Sequence, residues 1–265
     1  MMSNMQNEVE RITPYDGQEG KAGQVRRMFD SIAPAYDFMN RAMTLGIDKW
    51  WRRQAVKAVG RHLPHARILD VATGTGDFAI KLHDALAPDA VAGIDLSEGM
   101  LAVARGKAGD RRITFEQGDC LALPYDDACF DGVTVAFGVR NFEHMEQGYR
   151  QMHRVLRSGG MLCVLELSTP QNRVLRWFYD LYTLHLIPAV GSLIAHDRSA
   201  YRYLPLSIAA VPQGRDMLAL MERAGFDRCQ VRRFTLGTCS LYTAVKPRNA
   251  PAGGVCRRAT RQFSP

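Results

Sequence analysis

Apolar residues recur at helical spacing ahead of the first strongly apolar run of the chain. One stretch places them three and four residues apart until Pro34 interrupts it, at Val25, Met28, Phe29 and Ile32. A second amphipathic run follows at Ile47, Trp50, Trp51, Ala55 and Val59. These patterns predict two short helices over residues 23–60 that form a cap over the core. Tyr36 and Trp50 then either pack this cap against the core or face a ligand.

Beyond residue 66 the pattern changes to short apolar runs that alternate with amphipathic stretches. It predicts strands at residues 67–72, 90–95, 113–117, 130–137 and 161–167, and helices at residues 78–87, 98–107, 147–156 and 214–224. Gly159 and Gly160 indicate a glycine cap at the end of the third of these helices. The last two runs, 228–234 and 240–245, are separated by a short turn and indicate an antiparallel pair. The alternation predicts an α/β fold, with a Rossmann-like, doubly wound and mostly parallel sheet of seven strands.

Three segments lie outside this alternation. Residues 168–212 form an aromatic, apolar insertion after the fifth strand, and an insertion of this length is typical of a lid or binding loop. The alternative is an extra helical subdomain that packs on the core without touching a ligand. Residues 1–22 are polar and glycine-rich, and we expect them to be flexible. Residues 247–265 are predicted to form a disordered basic tail, which leaves one domain at residues 23–246.

The first core strand leads into a glycine-rich turn with the sequence R-I-L-D-V-A-T-G-T-G-D, at residues 67–77. Gly74 and Gly76 lack a Cβ atom, so the backbone can turn tightly and a ligand can approach it closely. A helix is predicted to begin at about Asp77, and its first N–H groups have no partner within the helix. The sequence therefore predicts a nucleotide cradle at the carboxyl end of the first strand.

The charge of this loop favours one nucleotide over another. Gly74, Gly76 and Ala79 satisfy the loose dinucleotide pattern, and Asp95 lies about 20 residues further on, where a ribose contact is expected. However, Asp70 and Asp77 would repel the pyrophosphate of NAD. S-adenosylmethionine has no phosphate and carries a sulfonium and an ammonium group. The acids therefore favour S-adenosylmethionine over NAD, and a turn without any ligand is the third interpretation.

Composition and charge narrow the class of protein. The hydrophobic content of 46% and the charged content of 23% are ordinary for a soluble globular protein. Four arginines in residues 247–265 account for four of the seven net positive charges, so the rest of the chain is only mildly basic. Nucleic-acid binding is therefore not expected, whereas weak attraction to anionic lipid is. The sequence has neither a signal-peptide pattern nor an apolar run of membrane-spanning length, so we expect a cytoplasmic protein. The seven histidines form no ligand set, and no metal is predicted.

Six stretches together resemble a known family along nearly the whole chain. They are V-R-R-M-F-D-S-I-A-P-A-Y-D-F-M-N, I-L-D-V-A-T-G-T-G-D, G-I-D-L-S-E-G-M-L, A-F-G-V-R-N, R-V-L-R-S-G-G and A-Y-R-Y-L-P-L-S-I. The chain resembles the S-adenosylmethionine-dependent C-methyltransferases of menaquinone and ubiquinone biosynthesis. The resemblance implies a class I methyltransferase domain at residues 23–246.

The resemblance places the family's cofactor contacts at Thr75, Asp95, Asp119 and Cys120. A carboxylate such as Asp95 at a strand end can accept both ribose hydroxyls. Asp119 can accept from the adenine amino group while the Cys120 N–H donates to a ring nitrogen. The alternative for Asp119 is a turn-forming role after Gly118. Asp70, Gly74 and Gly76 complete the predicted cofactor site. Many relatives have a serine where this chain has Ala136.

The resemblance also implies methylation of a ring carbon on a reduced quinone. Arg140 is predicted to stabilise the phenolate form of the quinol, and Asn141 to orient the substrate oxygen. The alternative for Arg140 is that it only pairs with an acid such as Asp37 or Glu166. The predicted substrate-binding residues are Tyr36, Tyr201 and Tyr203. The general base is left open between His196 and a water relayed through Arg140.

The expected acceptor is demethylmenaquinol, because the opening I-T-P-Y-D-G-Q-E-G-K-A-G-Q-V looks more like the menaquinone-only relatives. The alternative is a bifunctional or ubiquinone-pathway enzyme acting on a 2-methoxy-6-polyprenyl-1,4-benzoquinol. A binding or scaffold protein that kept the cradle without catalysis is a further alternative. A polyprenylated substrate lies in the bilayer, so peripheral contact with the inner face of the membrane is expected through residues 177–187. Whether the protein forms a homo-oligomer is left open.

Overall fold

The computed structural model describes residues 8–63, 66–183 and 198–248, with the side chains of Arg198 and Tyr201 outside this description. Seven strands are present, with the bounds β1 Arg67–Val71, β2 Ala90–Asp95, β3 Ile113–Gln117, β4 Phe130–Ala136, β5 Leu156–Leu167, β6 Asp227–Phe234 and β7 Cys239–Val245. They form a single sheet in the order β3-β2-β1-β4-β5-β7-β6.

Strands β1 to β5 are parallel, and β7 runs antiparallel to both β5 and β6. The predicted fold class, a seven-stranded and mostly parallel doubly wound sheet, is therefore confirmed. The chain moves outward from β1 to β3 and then returns to the other side of β1 with β4. This reversal opens a crevice at the carboxyl ends of β1 and β4, where ligands bind in open α/β sheets.

Among the described helices, three precede β1 in sequence and six come after it. The first three are α1 Lys21–Ile32, α2 Tyr36–Thr44 and α3 Asp48–His62. The others are α4 Asp77–Leu86, α5 Glu98–Ala108, α6 Met145–Val155, α7 Arg173–Leu181, α8 Arg198–Ala210 and α9 Arg215–Arg223. None of these described helices combines the length and the apolarity needed to cross a membrane.

The predicted glycine cap at the end of α6 is wrong. Helix α6 ends at Val155, and Leu156 is already extended, with φ −73° and ψ 141°. The chain then runs directly into β5, whose register against β4 shifts between Phe130 and Gly132. Gly159 adopts φ +80° inside this irregular start of the strand. The glycines therefore allow a kink in a strand, which is a known use of glycine next to β-bulges.

The core lies on both faces of the central strands. In β1, Ile68 packs into one apolar cluster while Leu69 and Val71 pack into the other. Strand β5 alternates in the same way, with Leu162 on one face and Cys163 on the other. Burial on both faces explains why the central strands are almost continuously apolar in sequence.

Polar contacts fasten helices α1 and α2 over the carboxyl ends of β1 and β2. Asp30 on α1 accepts hydrogen bonds from the Ser97 hydroxyl at 2.5 Å and the Gly99 N–H at 3.0 Å. Lys107 on α5 forms ion pairs with Asp37 on α2, at 2.6 Å, and with Asp77 at the start of α4. These contacts fix the position of Tyr36, the first residue of α2, above the crevice.

Candidate active site

Two backbone conformations mark the crevice between β1 and β4. Ala72 and Phe137, which follow β1 and β4, adopt φ +51° and φ +61°, in the left-handed region that side chains other than glycine rarely occupy. The two segments are in close contact, because a Cβ atom on Gly138 would lie 2.7 Å from the Ala72 Cβ. Such strained residues cluster at functional sites, where the surrounding structure holds them in place.

A pocket opens at this point, and we call it the cleft. It is lined by six of the predicted site residues, namely Tyr36, Gly74, Asp95, Asp119, Cys120 and Asn141. Its apolar walls include Ile94, Leu96, Met100, Phe137 and Phe142. A narrow pocket with apolar walls and acids at its edge suits a flat base and a ribose.

Asp95 holds the glycine loop in place. Its carboxylate accepts hydrogen bonds from the Gly74 N–H at 2.8 Å and from the Ser97 N–H at 2.9 Å. Burial raises the pKa of this carboxyl, and the nearby charge of Asp30 acts in the same direction. Each carboxylate oxygen can accept more than one hydrogen bond, so Asp95 retains capacity for donors in the cleft.

Asp119 and Cys120 follow β3 on the other side of the cleft. The Asp119 carboxylate accepts the Leu121 N–H at 2.8 Å, so the turn-forming role considered from the sequence is present. Asp119 also lines the cleft, so the two roles are compatible. Burial and the neighbouring acids raise the pKa of the Cys120 thiol well above its ordinary value, which keeps the sulfur neutral. Cys120 can therefore contact a ligand in the cleft through its backbone N–H rather than through a thiolate.

The two loop glycines have different surroundings. Gly74 adopts φ +57°, and a Cβ atom built on it would meet nothing within 4 Å, so its backbone faces open space. Gly76 adopts φ +77°, and its Cβ would lie 3.0 Å from both Ala104 and Phe115. Gly76 was predicted as a cofactor residue, but it is required for the packing of the loop against α5 and β3. Gly74 is the glycine that leaves room for a ligand.

A second, smaller pocket continues from the cleft, and we call it the niche. The two share Tyr36, Ala72, Gly74 and Ala136. Asp70 lies in the niche with its side chain fully buried, and it accepts the Thr73 and Thr134 hydroxyls, both at 2.6 Å. Burial raises the pKa of Asp70 to about 6.

The other acid of the loop is compensated by a cation. Burial acts to raise the pKa of Asp77, but the hydrogen bond and charge of Lys107 outweigh it, so this pKa lies below its ordinary value. Thr75 donates its hydroxyl to Asp37 at 2.6 Å and therefore points toward α2. Asp77 therefore has a cation as its partner, whereas Asp70, Asp95 and Asp119 form no direct ion pair among the described residues.

A third pocket, with a volume of about 520 Å³, lies beyond Phe137 and is mostly apolar; we call it the large cavity. Arg140 lines it and forms a buried ion pair with Glu166 at 2.8 Å. Of the two acids considered as its partner, Glu166 is the one used, and Asp37 pairs with Lys107 instead. The Arg140 Nε is buried and has no hydrogen-bond partner among the described residues.

The remaining predicted residues are distributed around these pockets. The Tyr203 hydroxyl donates to the Asn141 side-chain oxygen at 3.1 Å, so Tyr203 holds Asn141 rather than standing free in the large cavity. Tyr36 borders the cleft, the niche and the large cavity. Tyr201 belongs to α8, but its side chain lies outside the described part of the chain, as does His196.

Sequence reasoning missed two cations of the site, Arg52 and Lys107. Arg52 lines both the niche and the large cavity and pairs with Asp48, four residues earlier on α3. The available signal was a charge pair at this helical spacing within an otherwise apolar face. Lys107 gave no such signal, because its partners Asp37 and Asp77 are distant in sequence.

The sequence model of the ubiE/COQ5 methyltransferase family matches residues 17–246. The chain belongs to this family. It is 46% identical to the demethylmenaquinone methyltransferase of Bacteroides fragilis (strain ATCC 25285), over 89% of this chain and 98% of the relative. It is 42% identical to the ubiquinone/menaquinone biosynthesis C-methyltransferase UbiE of Geobacter sulfurreducens, over 89% of this chain and 93% of that protein. The predicted resemblance is thereby confirmed.

The fold is also found in solved structures. A possible histamine N-methyltransferase from Thermotoga maritima superposes with a TM-score of 0.60 at 18% identity, over 83% of this chain and 99% of that one. At this identity the similarity concerns the fold alone. Membership of the ubiE/COQ5 methyltransferase family makes the protein an S-adenosylmethionine-dependent methyltransferase, as the sequence pattern predicted.

Proposed function

We propose that the protein transfers a methyl group from S-adenosylmethionine to a ring carbon of demethylmenaquinol, which yields menaquinol. The observation that carries this proposal is the junction of two unlike pockets. The cleft, with its acids and open glycine, meets the large apolar cavity at Tyr36 and Phe137. A polar nucleoside and an apolar acceptor can therefore approach each other at these two side chains.

The chemistry of the cleft fits the cofactor. We infer that Asp95 accepts the ribose hydroxyls and that Asp119 and the Cys120 N–H bind the adenine edge. The open space over Gly74 lets the ligand continue into the niche, where the buried Asp70 suits a cationic group. Thr75 supports the site through Asp37 rather than by facing the cleft. When bound, S-adenosylmethionine supplies an electrophilic methyl group on a sulfonium.

The large cavity fits a reduced quinone. Its walls are mostly apolar and aromatic, as a naphthoquinol ring with a prenyl tail requires. A ring carbon becomes nucleophilic when a quinol hydroxyl loses its proton, which is unfavourable near neutral pH for a phenol with a pKa of roughly 10. Arg140 is one of two described arginines that line this cavity, and we assign the phenolate to it because Glu166 fixes its guanidinium while its Nε has no partner among the described residues.

Neighbouring residues position the acceptor. The Tyr203 hydroxyl donates a hydrogen bond of 3.1 Å to the Asn141 side-chain oxygen, which fixes the orientation of the Asn141 amide. Asn141 can then donate its NH₂ group to a substrate oxygen. The quinol proton leaves to a water beside Arg140 or to His196, and His196 lies outside the described residues. Tyr36 lies between the pocket of the quinol and the pocket of the methyl donor.

We further propose that the protein collects its substrate from a membrane surface. Helix α7 buries none of its residues and exposes Trp177, Phe178 and Leu181 to 61%, 59% and 49%. The large cavity lies beside it, because the Tyr182 hydroxyl donates to the Met43 carbonyl at 2.8 Å and both residues line the cavity. A prenyl tail could thus pass from lipid along α7 to the ring site.

The names of the relatives support a naphthoquinol as the acceptor substrate and also indicate a second possible acceptor. The Bacteroides relative is named for demethylmenaquinone alone, and the Geobacter relative is named for both ubiquinone and menaquinone synthesis. A 2-methoxy-6-polyprenyl-1,4-benzoquinol is therefore the second candidate substrate for this chain.

One experiment tests the reaction. The purified protein is incubated without oxygen with methyl-labelled S-adenosylmethionine and either a short-chain demethylmenaquinol or the matching benzoquinol. We expect one labelled methyl on the naphthoquinol ring, detected by mass spectrometry. Label on the benzoquinol alone would replace the substrate assignment, and no transfer to either acceptor would contradict the proposed reaction.

A further inference from the structure

The niche contains one buried guanidinium that the proposed reaction has not used. Arg52, on α3, lines the niche together with Asp70 and Gly74, and only 6% of it is exposed. Its charge acts on the carboxyls of both Asp70 and Asp77. Arg52 therefore adds a positive charge to a pocket whose lining also includes Asp70 and Asp77.

The contacts of Arg52 fix its guanidinium but do not use all of its hydrogen-bond donors. It forms a buried ion pair with Asp48, whose carboxylate also accepts the Thr44 hydroxyl at 3.0 Å. Its guanidinium carbon lies 5.1 Å from the centre of the Phe137 ring. The Arg52 Nε is buried and has no hydrogen-bond partner among the described residues. A buried guanidinium with unused donors commonly marks a place for an anionic group.

The shape of the site indicates which anion this is. The cleft and the niche share Gly74 and Ala72, so a nucleoside bound in the cleft extends past the loop into the niche. The amino-acid end of S-adenosylmethionine carries an ammonium and a carboxylate. Asp70 suits the ammonium but would repel the carboxylate. Lys107 is already paired with Asp37 and Asp77, and among the described residues that line the niche Arg52 is the one cation.

We propose that Arg52 binds the carboxylate of the cofactor's amino-acid end, opposite Asp70, which accepts the ammonium. This inference rests on the proposed function, because it requires the cofactor to lie in the cleft and the niche. Asp48 is then a positioning residue, since its ion pair keeps the guanidinium turned toward the niche.

The test compares two ligands that differ only in the carboxylate. Calorimetry measures the binding of S-adenosylhomocysteine and of its decarboxylated analogue to the wild-type chain and to Arg52→Gln. We expect Arg52→Gln to lose about tenfold or more in affinity for S-adenosylhomocysteine and to keep its affinity for the analogue within about twofold. Arg53→Gln, the exposed neighbour on α3, is the matched control and should change neither.

Each other outcome has a defined meaning. Equal losses for both ligands would show that Arg52 only supports the fold, and no loss for either would also overturn the inference. A wild-type chain that binds neither ligand would overturn the cofactor site itself. If Arg52→Gln does not fold, Arg52→Lys replaces it. An ammonium lacks the guanidinium fork, so the preference for the carboxylate should fall at least about threefold, and an unchanged preference would overturn the inference.

Discussion

Asp70 is an unusual residue for the middle of a parallel sheet. It lies inside β1, is only 1% exposed, and accepts two threonine hydroxyls, while no cation of the described residues contacts it directly. Such a carboxylate is costly to keep ionised, which its pKa of about 6 reflects. A stability cost at one buried residue is typical of a site that must meet a charged ligand.

The first prediction concerns the pH dependence that Asp70 imposes. Its pKa is raised from 3.8 to about 6, so the stabilisation from its protonated form is complete below about 3.8 and is lost as the pH rises through 6. Asp70→Asn should therefore be more stable than the wild type at pH 7, by about 1–3 kcal/mol, and no more stable near pH 4. Denaturant unfolding from pH 4 to 8 measures this.

Ligand binding provides the complementary measurement on the same variant. Wild-type affinity for S-adenosylhomocysteine should fall as the pH drops below about 6, because Asp70 then gains a proton. The affinity of Asp70→Asn should be lower at pH 7 and should vary less over this range. A stability difference that does not change with pH would contradict the assigned cause.

The second prediction concerns Asp95, which fixes the loop through Gly74 and Ser97. Asp95→Ala removes both backbone contacts and the acceptor for the ribose. We expect the affinity for S-adenosylhomocysteine, measured by calorimetry, to fall about tenfold or more. Asp89→Ala, an exposed acid before β2, is the control and should bind normally. Unchanged affinity in Asp95→Ala would remove this residue from the cofactor site.

The third prediction separates donor binding from chemistry at Arg140. Arg140→Gln should lower kcat for methyl transfer by roughly a hundredfold or more, because the phenolate loses its cation. Its affinity for S-adenosylhomocysteine should stay within about twofold of wild type. Arg140→Lys retains the charge beside Glu166 and should lose less activity. Arg140→Gln with normal turnover would show that Arg140 only balances the charge of Glu166.

At the scale of elements, helices α1 and α2 belong to the active site although they precede the sheet in sequence. They are anchored to α5 and α4 by charges and hydrogen bonds rather than by apolar packing alone. Asp30 anchors α1 to the start of α5, whereas Lys107 joins α2 to the start of α4. The position of Tyr36 on α2 therefore depends on Lys107, which belongs to α5.

The fourth prediction follows from that anchor. Lys107→Met leaves Asp37 and Asp77 near each other without their shared cation, and should lower the free energy of unfolding by roughly 1–2 kcal/mol. It should also weaken S-adenosylhomocysteine binding, because α2 and Tyr36 lose their tether. Lys57→Met, an exposed lysine on α3, should behave as wild type in both assays. A fully stable Lys107→Met would show that apolar packing holds the cap.

The helices and strands also show which parts of the fold could be predicted from the sequence. Strands β1 to β4 followed from local patterns, because each is determined by neighbours in sequence. The kink at Gly159 could not be told from a helix cap, since both require the same φ. The roles of Gly76 and Tyr203 depend on contacts with Phe115 and Asn141 that only the folded chain creates.

At the scale of the whole molecule, the exposed apolar residues are not scattered evenly. Trp177, Phe178 and Leu181 lie on one helix, and Leu45 is 87% exposed on the turn after α2 that lines the large cavity. An exposed apolar group of this size is typical of a surface that meets lipid or another protein.

The fifth prediction tests that surface. The protein should co-sediment with anionic vesicles, less so at high salt, and the double variant Trp177→Ser, Phe178→Ser should lose most of this binding. Its turnover of a short-chain quinol should be retained, because the side chains lie outside the ring site. Leu236→Ser, which removes an exposed leucine at the β6–β7 turn, is the control. Equal vesicle binding by all three proteins would remove α7 from the membrane contact.

The division of labour between strand ends and helices has a consequence for how such enzymes diversify. The residues of the cleft that we assign to the cofactor follow the ends of strands, whereas the large cavity takes much of its wall from helices, at Asn40, Met43, Trp51, Tyr179, Leu204 and Ile208. Substitutions on those helices can reshape the room for the acceptor without moving the loop that grips the donor. A single scaffold can thus exchange one aromatic acceptor for another over evolutionary time while its methyl source stays the same.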